Sequence, residues 1–147
     1  MPDLVLGQRC EDHHLVDPVP ELWRESPLQF THHFRLYAPE KIPYAVDRYS
    51  NEAKRLYGVL DTRLKASEYV AGDEYTIADI AIFPWLRSWQ NQGIDWDDFP
   101  YAKAWFDRIA ARPAVQRGVE VLAGLRKPLR DDKAREVLFG AKQYQRH

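Results

Sequence analysis

The sequence predicts an all-α fold, a helical bundle preceded by an irregular N-terminal arm. Two observations point to helix. After Pro39, apolar residues recur at helical spacing from Ile42 to Leu64. Further on, Thr76-Ile77-Ala78-Asp79 has the form of a capping box and opens a strongly apolar run. The third observation points away from sheet, because no strand-type alternation is sustained and no internal repeat occurs.

The arm comes first. Pro2, Pro18, Pro20 and Pro27 punctuate residues 1–31, and neither a helical nor a strand period persists there. One short helical turn is expected near Glu21 to Trp23. The first long helix should run from about Glu40 to about Ala66, with Pro43 tolerated in its first turn. Its stripe is Ile42, Val46, Tyr49, Ala53, Leu56, Tyr57, Leu60 and Leu64. These positions fall within an arc of about 100°.

A turn containing Gly72-Asp73 follows, and then the capping box. Thr76 can cap by accepting the backbone N–H of Asp79, and the Asp79 carboxylate can reach back to the N–H of Thr76. Tyr75 and Ile80 fit a hydrophobic staple across it. The helix opened here, IADIAIFPWLRSWQNQG, is apolar nearly all round through Leu86, so it is expected at the centre of the domain. Pro84 should kink it and Gly93 should stop it. A third helix is expected from Asp97-Asp98-Phe99-Pro100, with Ala102, Trp105, Phe106 and Ile109 inward. A fourth should start at Pro113, with Val115, Val119 and Leu122 inward and Gly124 at its end. One short amphipathic piece, Ala134 to Leu138, lies in the polar tail.

Composition narrows the functional classes. A chain of 147 residues suits one domain. Lys plus Arg is 21 against 22 for Asp plus Glu, a net charge of −1. That balance lacks the basic excess of a nucleic-acid module and gives no reason to expect an anionic membrane surface as partner. Cys10 is the single cysteine, so no internal disulfide or CxxC pair can form, and a reduced cytoplasmic setting is expected. The longest apolar run, Ile80 to Leu86, is far short of the roughly 20 residues of a membrane span. The N-terminus lacks the basic and apolar regions of a signal peptide.

Few residues suggest chemistry. His13-His14 and His32-His33 are adjacent pairs, which cannot share one helix face as i, i+4 ligands do. They read as loop histidines, and no metal site is expected. Asp95, Asp97 and Asp98 read as N-terminal helix charges. No catalytic residue is assigned. Arg48 admits two readings. It lies about 130° from the centre of its helix's apolar stripe, on a second face with Tyr44, Arg55 and Val59. One reading is an i, i+4 ion pair with Glu52. The other is a contact to an external carboxylate, which a guanidinium suits. Trp85 and Trp89, also i, i+4, are candidates for one wall of a substrate pocket.

From His32 onward the chain resembles the C-terminal helical domain of glutathione transferases, with its likeness in the bacterial nu class, which includes glutathione-dependent disulfide-bond oxidoreductases. The residues that carry it are HHFRLYAPEKIPYAVDRYSNEAKRLYGVLDTRL, then TIADIAIFPWLRSW, then FPYAKAWFDRIAARPAV. The resemblance implies glutathione as co-substrate and a small-molecule thiol, electrophile or disulfide as partner. It also implies a homodimer, and a glutathione contact from the arginine of Asp47-Arg48-Tyr49. Residues 1–31 match neither the thioredoxin-like domain of that family nor its first core helix. The expected organisation is therefore an unmatched arm, 1–31, and a helical domain, 32–147, with little activity alone. The rival expectation is a non-catalytic helical module that uses an uncovered apolar surface for dimerisation.

Overall fold

A computed structural model of the chain describes residues 27–121, 123–125 and 132–140. Cys10, His13, His14, the expected turn near Glu21 and Leu122 lie outside the described residues. All regular elements described are helical, as expected.

The first element corrects the arm. The expected irregular arm includes residues 27–31, yet α1 spans Pro27–His32 and continues as a π-helical turn, His33–Tyr37. Proline at the first helical position costs no hydrogen bond, so Pro27 starts a helix instead of preventing one. Leu28 and Thr31 are fully buried. The Thr31 hydroxyl lies 2.9 Å from the carbonyl oxygens of both Pro27 and Tyr49, which ties α1 to the next helix. The boundary expected at 31/32 thus cuts through a helix that belongs to the core.

Helix α2, Pro43–Ala66, is the long amphipathic helix, and Ala53, Leu56, Tyr57, Leu60 and Leu64 of its stripe are buried. Only Ile42, ahead of its first turn, stays exposed. In the turn that follows, Tyr69 and Gly72 exchange backbone hydrogen bonds of 2.8 and 3.1 Å. Helix α3, Ile77–Leu86, then opens on the expected capping box. The Thr76 hydroxyl accepts the Ala78 N–H at 3.3 Å, one residue before the expected Asp79 donor, and Asp79 Oδ2 accepts the Thr76 N–H at 2.9 Å.

Two expectations about α3 fail. It does not run on to Gly93. Pro84 has no N–H to continue the ladder, the helix ends at Leu86, and α4, Trp89–Gln92, is a separate turn. Nor is α3 enclosed all round. Ala78, Asp79, Ile82, Phe83 and Leu86 are buried, but Ile77 is 81% and Ile80 54% exposed. Its neighbours cover one flank and leave the other open.

Gly93 ends α4 in the left-handed conformation, φ 72°. A second constraint acts there, since a Cβ at this position would lie 2.7 Å from the Arg35 guanidinium. Arg35 in turn donates to the Asn91 carbonyl at 3.1 Å and to the Ser50 hydroxyl at 3.3 Å. The amide of buried Gln92 accepts the Tyr57 hydroxyl at 2.6 Å and donates to the Trp85 carbonyl at 2.9 Å.

Trp96–Asp98 forms a 3₁₀ turn, so the third expected helix starts three residues late, as α5, Pro100–Ala110. Its first turn is held from α2, because Asp61 Oδ1 accepts the N–H groups of Tyr101 and Ala102 at 2.8 and 2.9 Å. Ala102, Trp105 and Ile109 are buried, and Phe106 packs on the core half-buried. Helix α6, Pro113–Glu120, stops short of Gly124, and Ala123–Leu125 is a 3₁₀ turn. Val115 and Val119 face the core but stay half-buried. Helix α7, Asp132–Phe139, is longer than the expected 134–138 piece, and its Phe139 ring stacks on Tyr37 at 5.2 Å.

Asp79 is the polar centre of this arrangement. It is completely buried. Beyond the cap, its Oδ1 accepts the Val70 N–H at 3.1 Å and the Trp105 indole N–H at 2.8 Å. One carboxylate therefore joins the turn after α2, the start of α3 and the middle of α5. A buried carboxyl group is tolerable when its oxygens are hydrogen-bonded in this way.

Candidate functional site

Arg48 sits on the outer face of α2, and the spacing that placed it there also gathers its neighbours. Tyr44, Arg48, Glu52, Arg55 and Val59 follow one another by three or four residues, so their side chains lie along one ridge. Tyr44 is 78% exposed and Val59 39%, so this ridge faces solvent.

Both readings of Arg48 meet on the ridge. The ion pair exists, but the Arg48 guanidinium is 3.7 Å from Glu52 Oε2, beyond ordinary hydrogen-bond length. Glu52 is instead engaged by Arg55, which donates Nε and NH2 to its two oxygens at 2.9 and 2.6 Å. That two-pronged contact holds the Glu52 carboxyl below its usual range, with a smaller contribution from Arg48, and raises Arg55. Arg48 is left more than half exposed, with donors to spare for an incoming carboxylate.

The other expected site residues are not brought to this ridge. Thr76 and Asp79 form the capping box and are structural. Trp85 and Trp89 do not share a helix face, because the break after Leu86 separates them. Trp89 packs against Trp96 with ring centres 5.9 Å apart. Trp85 and Trp89 both pack half-buried against the core. A different concavity lies between α3 and α6, a cavity of about 450 Å³ whose walls include Ile80, Phe83, Pro84, Val115 and Val119. Sequence reasoning missed it. The available signal was Ala114 and Gly118, two small residues one helical turn apart that leave the α6 wall open. His32 and His33 do not chelate together. Burial holds His32 below the usual imidazole range, and among the described residues its enclosed Nε2 has no hydrogen-bond partner. The His33 ring faces Phe139 at 5.3 Å. Among the described residues no group of three metal-ligating side chains occurs, and no helix is long and apolar enough to cross a membrane.

Comparison with known proteins gives the ridge a context. Disulfide-bond oxidoreductase YfcG of Escherichia coli K12 is 49% identical over 84 residues, 57% of this chain and 39% of that protein. Disulfide-bond oxidoreductase YghU of the same organism is 45% identical over 93 residues, 58% of this chain and 32% of that protein. The chain thus spans well under half the length of these relatives. Among solved structures, a glutathione transferase family member from Pseudomonas fluorescens Pf-5, with two glutathione bound, superposes with a TM-score of 0.67 at 34% identity. That match covers 79% of this chain and 56% of the other. Residues 29–113, more than half of the chain, match the family described as glutathione S-transferase, C-terminal domain. With the all-helical fold and the capped α3 beside it, this shows that the chain belongs to the glutathione S-transferase C-terminal domain family.

Proposed function

We propose that the chain is the helical half of a glutathione-dependent system that performs thiol–disulfide exchange or conjugation together with a glutathione-binding domain. Arg48 then contacts a glutathione carboxylate. The observation that carries this reading is the exposed guanidinium on α2, inside the family-matching segment, with only a 3.7 Å contact to Glu52. Glutathione bears two carboxylates, and a guanidinium holds such a group with two parallel hydrogen bonds.

In this reading Arg48 binds and orients, and the sulfur chemistry belongs to the companion domain, since a thiolate needs a stabilising group beside the sulfur. The co-substrate is a small-molecule electrophile or disulfide, two copies pair, and the setting is the cytoplasm. The helical unit takes in α1 as well as residues 32–147, and the residues before α1 lie outside the family pattern. The isolated chain is expected to turn over little chlorodinitrobenzene or hydroxyethyl disulfide. Titration calorimetry with glutathione should show weak binding that drops about tenfold in Arg48→Ala, the loss of a charged hydrogen bond. Robust conjugation by the chain alone, abolished by Arg48→Ala, would overturn the division of labour. Unchanged binding in Arg48→Ala would remove the residue from the site.

A second reading, a non-catalytic interaction module, draws on the open flank of α3, where Ile77 and Ile80 stand exposed. Analytical ultracentrifugation tests it. A strict monomer at high concentration argues against both this reading and the pairing of two copies.

A further inference from the structure

Where the last turn of α2 meets α5, the surface folds inward into a cavity of about 470 Å³. That volume falls within the usual range for small-molecule pockets. Four charged side chains line it: Lys65 and Glu68 from the end of α2 and just beyond, Asp73 from the following turn, and Arg108 from α5. Two of them satisfy each other. Arg108 donates to the Glu68 carbonyl at 2.7 Å, lies 3.5 Å from the Glu68 carboxylate and stands 5.6 Å from the centre of the Tyr69 ring. Lys65 and Asp73 are different, because among the described residues neither takes part in an ion pair. The Lys65 ammonium reaches across to α5 and lies 6.0 Å from the centre of the Tyr101 ring. Leu64, Lys65 and Ala66 bring the carbonyl end of α2 to the same cavity. A helix end of that kind carries partial negative charge and favours a cation.

A hollow that presents one uncompensated cation and one uncompensated anion is complementary to a small molecule bearing both charges. A simple anion meets repulsion from Asp73 there, and a simple cation meets it from Lys65. We propose that this cavity is a binding site for a free α-amino acid. The carboxylate pairs with Lys65, and the ammonium pairs with Asp73 beside the carbonyl end of α2. The side chain lies against Leu64, Tyr101 and Ala104, which complete the lining. The site shares no residue with the Arg48 ridge and does not depend on the glutathione reading.

The residues that carry this idea can be changed without touching the core, because Lys65, Asp73 and Ala104 are all exposed. The experiment uses the full chain and titration calorimetry at low salt, with L-phenylalanine as the probe. Phenylalaninamide, which lacks the carboxylate, and N-acetylphenylalanine, which lacks the ammonium, are the controls. Phenylalanine should bind saturably at millimolar concentration with one site per chain. Each control should bind about tenfold more weakly, the loss of one charged hydrogen bond. Lys65→Gln should weaken phenylalanine about tenfold and leave phenylalaninamide unchanged. Asp73→Asn should weaken phenylalanine by a similar factor and leave N-acetylphenylalanine unchanged. Ala104→Trp fills the hollow from the solvent side of α5 and should abolish binding with the melting temperature held. Absence of saturable phenylalanine binding overturns the proposal, and so does equal binding of all three compounds. Unaltered phenylalanine affinity in Lys65→Gln and Asp73→Asn overturns the charge assignment. Full-strength binding in Ala104→Trp overturns the location. A lowered melting temperature in Lys65→Gln and in Asp73→Asn, with phenylalanine affinity unchanged, would mean that the two side chains serve only to pair with each other, and would also overturn it.

Discussion

Asp79 and Glu52 are both acidic residues one helix apart, and the structure treats them oppositely. Asp79 is fully buried and accepts from Thr76, Val70 and Trp105, groups supplied by three different parts of the chain. Glu52 lies on the α2 ridge and, among the described residues, meets two arginines of its own helix. The first arrangement fixes a fold, because each donor would be left dry and unpaired without it. The second fixes much less, because the Glu52 side chain, 18% exposed, is met by two half-exposed arginines that water can replace at little cost. A carboxylate whose partners come from distant segments is architecture. One whose partners are local and exposed leaves its neighbours free for a ligand.

This contrast is sharpest under mutation. Asp79→Ala should be the most damaging single change considered, destabilising by about 3–5 kcal/mol or preventing folding, since it removes a cap and orphans two buried donors. The urea midpoint measures it, and a loss under about 1 kcal/mol would break the comparison. Tyr57→Phe leaves the buried Gln92 oxygen without its donor and should cost about 1–3 kcal/mol in the same assay. Arg48→Ala belongs to the other class. It should change stability by less than about 0.5 kcal/mol while weakening the response to glutathione. A large stability loss there would return Arg48 to a purely structural role.

A smaller effect is expected from pH. Burial lowers the His32 pKa in the folded state, so between that value and the ordinary 6.5 the unfolded chain binds more protons. Stability from this residue is therefore present above about pH 6.5 and is lost as pH falls through that window. Denaturation midpoints compared at pH 7.5 and 5.5 should fall on acidification, and the fall should shrink in His32→Gln. An equal fall in both would exclude His32 as the cause.

How much of this was legible in the sequence follows from separation along the chain. The capping box spans Thr76 to Asp79, so spacing alone reveals it. The links from Asp79 to Trp105, from Gln92 to Tyr57 and from Asp61 to Ala102 cross 26, 35 and 41 residues, and nothing in a local period announces them. The stripe of α2 was readable because 24 residues give the period room to repeat. Six residues of α1 do not, and two nearby prolines disguised a helix that packing on α2 secures. Arg48 was placed on the correct face by geometry, and the resemblance, not the spacing, supplied its ligand. Trp85 and Trp89 stand on either side of a break after Leu86, which a spacing counted along one continuous helix did not anticipate.

The two long-range aspartates converge on one target. Asp61 grips the first turn of α5, and Asp79 grips its middle through Trp105. The amides between these two grips meet solvent only when both let go. Deuterium uptake there should report the opening of the whole molecule, whereas α6, which buries none of its side chains fully, should trade its amides through small, frequent fluctuations.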